Sequence, residues 1–175
     1  FKGDGATYFG NNSDSPVQIT QNNAVMLTAT ADGIAIPQDI TVGTTNPITI
    51  GKGAGDIPQN TVFGFRSLSE NTTGAYNSAF GTVSLDENIT GSQNTAIGYA
   101  TLQKNESGVQ NTAVGFGALQ STQIKDNCTA VGNNALKNNK QSGNTAVGTA
   151  SLDEVVSGAN NTAIGLGAGQ KVELG

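Results

Sequence analysis

The sequence predicts an all-β protein: a parallel β-solenoid, or β-roll, of 16–17-residue coils with a small N-terminal β module. Three observations predict it. A short phrase, Asn-Thr-Ala-Val/Ile-Gly, returns at a nearly fixed interval along most of the chain. Its residues are strand formers punctuated by Asn and Gly. Large apolar side chains are scarce: aromatics make up 5% of the 175 residues, Trp is absent, and Gly occurs 24 times. Such a chain lacks the bulk for an ordinary two-layer core, yet it is too regularly patterned for disorder.

Residues 1–46 do not share the period. They hold β-like runs at Val17-Gln18-Ile19, Ala24 to Thr30, Ile34-Ala35-Ile36 and Ile40-Thr41-Val42, with turn-like stretches at Gly10 to Pro16 and Asp32-Gly33. This part reads as a β module, cap or connector. An opening on Phe1 rather than Met reads as a fragment or processed product, and no signal peptide is recognised.

Residues 47–169 form the repeat array. The phrase ends on Gly64, Gly81, Gly98, Gly115, Gly132, Gly148 and Gly165, at intervals of 17 residues except for one of 16 between Gly132 and Gly148. Other columns keep the phase. Asn stands four positions before the glycine at Asn60, Asn77, Asn94, Asn111, Asn144 and Asn161, with Cys128 as the exception. Ala79, Ala96, Ala113, Ala130, Ala146 and Ala163 precede it by two, and Leu68 to Leu152 follow it by four. A second glycine, as at Gly74, Gly91 and Gly108, marks the far turn. An earlier unit at Ile48 to Gly55 matches the last at Ile164 to Gly169; both carry Gly where inner units carry Leu, as terminal repeats do. Eight coils are therefore expected, followed by an exit segment at 170–175.

A period of 17 is too short for two helices. It suits one coil with two short strands, and coils stacked at about 4.8 Å give a rod on the order of 40 Å. Strand alternation separates Thr and Val/Ile from Ala and Gly. Placing Val/Ile inside with Leu leaves a flat Ala/Gly face for a neighbouring chain, so the six alanines are candidate trimer-interface residues. A bulge would reverse this parity and pack Ala inside a thin coil. The Asn column is expected to form an amide ladder, interrupted by Cys128 as an inert filler. The Thr hydroxyls, taken as inward, would stiffen the stack.

The phrases "NTAIGYATL", "NTAVGFGAL" and "NTAVGTASL" resemble the head repeats of trimeric autotransporter adhesins, the YadA-like heads. The longer period is more similar to the version in phage and other viral tail fibres. The resemblance covers roughly residues 47–169 and implies a parallel β-roll, intertwined or laterally packed as a homotrimer. It also implies a fibre shaft or receptor-binding head that attaches a virion to a host-cell glycan or protein receptor, next to other fibre segments. A bacterial adhesin head on the outer cell surface is the alternative. The period departs from the shorter adhesin repeat, and neither a C-terminal membrane anchor nor a chaperone domain is recognised in these residues.

Composition narrows the chemistry. The net charge is −5 and there is no basic stripe, so nucleic-acid binding is not expected. No apolar run reaches membrane-spanning length. With no His and one Cys, the usual nucleophile–base pairs, a His metal site and an internal disulfide are excluded. "GKGAG" at Gly51 lacks the context of a phosphate loop and reads as a cap. The pairs Asp86-Glu87 and Asp153-Glu154 suggest a polysaccharide depolymerase as a minor alternative, but their shared phase marks them as solvent-facing turn positions. An ice-binding face is disfavoured by Thr-Ala-Val in place of Thr-x-Thr. No enzyme activity and no cofactor are therefore expected. Phe65, Tyr99 and Phe116, in the variable column after the glycine, are candidate surface recognition residues. Sequons at Asn11, Asn71, Asn88, Asn105, Asn127 and Asn160 follow from the Asn/Thr-rich composition.

Overall fold

A computed structural model describes residues 17–21, 24–30, 33–35, 40–42, 48–123 and 125–172. The chain divides into two compact units, Phe1–Asp39 and Ile40–Gly175. In the first, β1 (Val17–Gln21), β2 (Ala24–Thr30) and β3 (Gly33–Ala35) form an antiparallel sheet in the order β1-β2-β3. These are three of the expected runs; the expected turn at Gly10 to Pro16 lies outside the described residues.

The second unit is the solenoid. Its strands are β4 (Ile40–Val42), β5 (Ile48–Gly51), β6 (Thr61–Gly64), β7 (Ser78–Phe80), β8 (Thr95–Ile97), β9 (Thr112–Val114), β10 (Thr129–Val131), β11 (Thr145–Val147), β12 (Glu154–Val155), β13 (Thr162–Ile164) and β14 (Lys171–Val172). From β6 to β11 and on to β13 the strands pair in parallel, each residue beside its repeat counterpart, as in Thr95↔Thr112, Ala96↔Ala113 and Ile97↔Val114. There are thus seven parallel rungs and about six turns, on the order of 30 Å from end to end.

The expected eighth coil is a cap instead. β5 runs antiparallel to β6, pairing Ile50 with Phe63, and β4 adds outside it. The chain then turns through a 3-10 segment at Ala54–Asp56, where the Ala54 N–H donates to the Leu68 carbonyl of the first rung at 3.1 Å. A reversed strand followed by this turn closes the sheet edge, which an open ladder of unpaired amides would leave exposed.

Each rung has one principal strand rather than the two expected, although β12 and β14 form a short second ladder at the last two coils. The reason lies in backbone signs. Two residues after the strand glycine, and again four after it, the chain takes positive φ. Leu68, Leu85, Leu102, Leu119, Leu136 and Leu152 all have φ between 48° and 52°. Alternating signs curl the chain and prevent a second extended strand there. The ladder continues nonetheless: the Leu85 N–H donates to the Thr101 carbonyl at 3.0 Å and the Leu102 N–H to that of Ala118 at 3.1 Å.

The core is one file of small residues against one of leucines. Ala79, Ala96, Ala113, Ala130 and Ala146 are fully buried beside the Leu column, with Val62, Cys128 and Val155 in the same cluster. The coil is too thin for two layers of branched side chains. Leu and two asparagine files fill it, leaving room for a methyl group behind the strand.

Candidate functional site

Parity is the main correction. The strand alternates as expected, but Ala points inward and Val/Ile outward. The six alanines expected as trimer contacts therefore lie in the coil's own interior; Ala163, on the last rung, is partly buried against it. The outer face carries Phe63, Phe80, Ile97, Val131, Val147 and Ile164, between 37% and 73% exposed, with half-buried Val114 in the same file. The Thr column lies on this face as well, since it shares the parity of Val/Ile. Inward-pointing hydroxyls therefore give no argument against an ice-binding face, while the lack of Thr-x-Thr stands.

The column after the glycine is also on the surface. Tyr99 and Phe116 are about half exposed and stack on each other, with ring centroids 5.0 Å apart and planes 14° from parallel. Stacked rings at this separation are a favourable aromatic pair. Phe65 is half-buried, and the next rung offers it Thr82 rather than a ring.

Inside, the asparagines do different work from that expected. In the first column each amide oxygen accepts a backbone N–H one rung on: Asn94 N–H to Asn77 Oδ1 and Asn111 N–H to Asn94 Oδ1, both at 3.0 Å. The amide nitrogens of Asn60, Asn77 and Asn94 donate across the coil to the far-turn glycine, as Asn94 does to the Gly108 carbonyl at 2.8 Å, and Asn111 donates to the Lys125 carbonyl in the same place. The true amide-to-amide ladder is a second file that sequence reasoning missed. Asn88 donates to Asn71 Oδ1 and Asn105 to Asn88 Oδ1, each at 2.9 Å. Its signal is present in the sequence: Asn71, Asn88 and Asn105 share a phase, which their reading as sequons obscures. All three are buried, unlike the exposed sequon residues Asn127 and Asn160.

Cys128 occupies the Asn slot and accommodates the ladder from below: its N–H donates to Asn111 Oδ1 at 2.9 Å. Burial pushes its thiol pKa up, against the lowering effect of hydrogen bonds from the Asn144 and Gly143 backbones. That disfavours the thiolate, the reactive form.

The carboxylate pairs also differ from expectation. Asp86 is not solvent-facing; it is buried, paired through Oδ2 with Arg66 Nη2 at 3.0 Å, and Oδ1 accepts the Ser69 hydroxyl. Its side chain folds over the turn onto the preceding rung. Asp153 is half-buried and Glu154 exposed. Among the described residues, no group of three or more His, Cys, Asp or Glu side chains is placed to hold a metal ion. No helix there is long and apolar enough to cross a membrane.

A surface recess of about 350 Å³ lies on the far turns that follow β9 and β10, lined by Ser121, Gln123, Lys125, Asn139 and Lys140. Lys125 stands where the far-turn glycine column has Gly74, Gly91 and Gly108; the missing glycine and the 16-residue interval that follows are the available signals. Comparisons with family models, curated proteins and solved structures give no match.

Proposed function

We propose that the chain is a homotrimeric β-roll segment of a viral or phage tail fibre, serving as shaft or receptor-binding head in host attachment. The observation that carries this reading is the outer file from Phe63 to Ile164. It is a continuous row of branched and aromatic side chains, left open on a single solenoid. Rows of this kind mark interaction surfaces. Parallel chains bring like columns together, so one self-complementary file serves every rung. The coil's thin Ala/Leu interior adds to the argument, because association buries apolar area that the coil alone cannot. Threefold presentation of any receptor site then raises avidity.

Light scattering tests the assembly. The expected mass is three times the 17.7 kDa chain, falling to one chain in Ile97→Asp/Val131→Asp with the solenoid's circular dichroism retained. A wild-type monomer, or a trimer indifferent to these substitutions, overturns the reading. Ala113→Arg is not a clean test, because it would disrupt the coil interior. Attachment is tested by competition: purified chain should reduce adsorption of the virus that carries it, and no reduction at saturating chain counts against a receptor-binding role.

A further inference from the structure

We propose that the recess at the shortened coil is a binding site for one acidic saccharide unit, a sugar carrying a carboxylate or phosphate. The far turn from Asn139 to Asn144 is one residue shorter than those from Asn105 to Asn111 and from Thr122 to Cys128. A shorter turn under a longer one leaves a step in the wall, and the recess of about 350 Å³ opens there. That volume is at the small end of small-molecule sites.

The lining decides the ligand class. The described lining residues end in polar or charged groups, and the lysine and glutamine stems add apolar surface, so the recess suits a ligand with both hydroxyls and a C–H face. Two are lysines, on a chain whose net charge is −5. Lys125, Lys137 and Lys140 are three of only eight cationic residues, and they fall in adjacent coils. No ion pair within 4.0 Å engages Lys125 or Lys140 among the described residues. Ser121 adds a hydroxyl, while Gln123 is tied to Glu106 Oε1 at 3.3 Å. Asn139 is held by Gln141, Asn144 and Cys128, so it forms a fixed floor. Two ammonium groups beside neutral donors match a single anionic group on a hydroxyl-rich ring. Ile124, between Gln123 and Lys125, is outside the described residues.

The recess is about half a period from the Val/Ile file, so a partner chain on the strand face leaves it open. The proposal deepens the attachment reading by naming the receptor's chemistry, and rests on that reading only for its biological role. Binding to the isolated full chain is tested separately from assembly.

The experiment is an NMR titration of the full chain with glucuronic acid, glucose 6-phosphate and glucose. Saturable shifts at Ser121, Gln123 and Lys140 are expected with either acidic sugar, at roughly millimolar affinity for so small a ligand. The two acidic arms distinguish carboxylate from phosphate. Lys125→Gln/Lys140→Gln should weaken binding by about ten-fold or more, and Lys104→Gln should not. Equal binding of glucose, no binding of either acidic sugar, or affinity unchanged in the double variant overturns the site. Light scattering of the same samples shows whether a failure belongs to the site or to the trimer.

Discussion

The second asparagine ladder stops at Asn105, and restoring it is a test of how this coil is held together. Asn105 Oδ1 is buried without a partner, because the next residue in its file is Thr122. The Thr122 hydroxyl turns away to the Leu119 carbonyl at 2.7 Å. Thr122→Asn would supply the missing donor, but it should fail alone. In rungs that keep the ladder, Asn is followed three residues later by Gly; a Cβ on Gly74 would sit 2.5 Å from Asn71 Oδ1. The Thr122 rung has Lys125 in that place. The informative variant is therefore Thr122→Asn/Lys125→Gly. Satisfying a buried acceptor is worth about 1–3 kcal/mol, and the lost hydroxyl bond costs about 1 kcal/mol. Removing a side chain to give Gly costs a further ~0.5–1 kcal/mol through the unfolded chain. The double variant should then lie within about 1 kcal/mol of wild type, and both single variants should be less stable. Urea unfolding of all four proteins gives the coupling, expected at about 1–2 kcal/mol, with amide exchange at Asn105 and Asn111 localising it. Additivity within ~0.5 kcal/mol would refute the pairing of Asn with Gly.

Other substitutions separate stacking from local strain. Gly98→Ala places a Cβ against the Gly115 carbonyl one rung on, whereas Gly165→Ala meets nothing nearer than Ala168 Cβ at 4.0 Å. Urea unfolding should give a loss of roughly 3 kcal/mol or more for the first and ~1–2 kcal/mol for the second. At Leu102, thermal unfolding should rank Leu102→Gly above Leu102→Ala by about 1 kcal/mol, because only Gly relieves the positive φ; the opposite order would remove the left-handed strain from the account. Cys128 bears on pH. Its folded pKa is raised above the ordinary 9.0, so above the unfolded pKa the unfolded chain holds fewer protons and stability falls as pH rises. Cys128→Ser should flatten that slope between about pH 8 and 10, the range around an ordinary thiol pKa.

The solenoid is legible in the sequence because its signal is long-range. Seven glycines in phase mark the rungs, and the register Ala96↔Ala113 follows from the repeat itself. Parity is not legible. The alternation of Thr, Ala and Val is plain, but the rule that larger apolar groups go inside selects the wrong face. That rule assumes a core wide enough to receive them. Here Leu102 and the two Asn files already fill it, and only tertiary geometry reveals this. The missing second strand has a similar cause: Leu is an unusual residue for positive φ, so nothing in "GYATL" announces the curl. The recess is marked by a missing residue and a missing glycine, which a search for recurring columns averages away.

The leucines show how such a thin coil becomes stable. A left-handed Leu costs about 1–2 kcal/mol, and burying its side chain returns about 1.5–3 kcal/mol. The balance favours folding only where the side chain is fully enclosed, which requires a rung or the cap on either side. Leu85 to Leu152 lie between two rungs and Leu68 between a rung and the cap, and all six are buried. At the ends it lapses, and the matching positions are Gly55 and Gly169, which take positive φ without a Cβ to accommodate. The same reasoning covers the asparagines: Asn94 satisfies Asn111 above while its own N–H depends on Asn77 below. Each rung thus offsets a strain or an unmade bond in its neighbour. A single coil gains nothing from this arrangement. Stability grows with the number of stacked rungs, and the end units have a different sequence because they have one neighbour fewer.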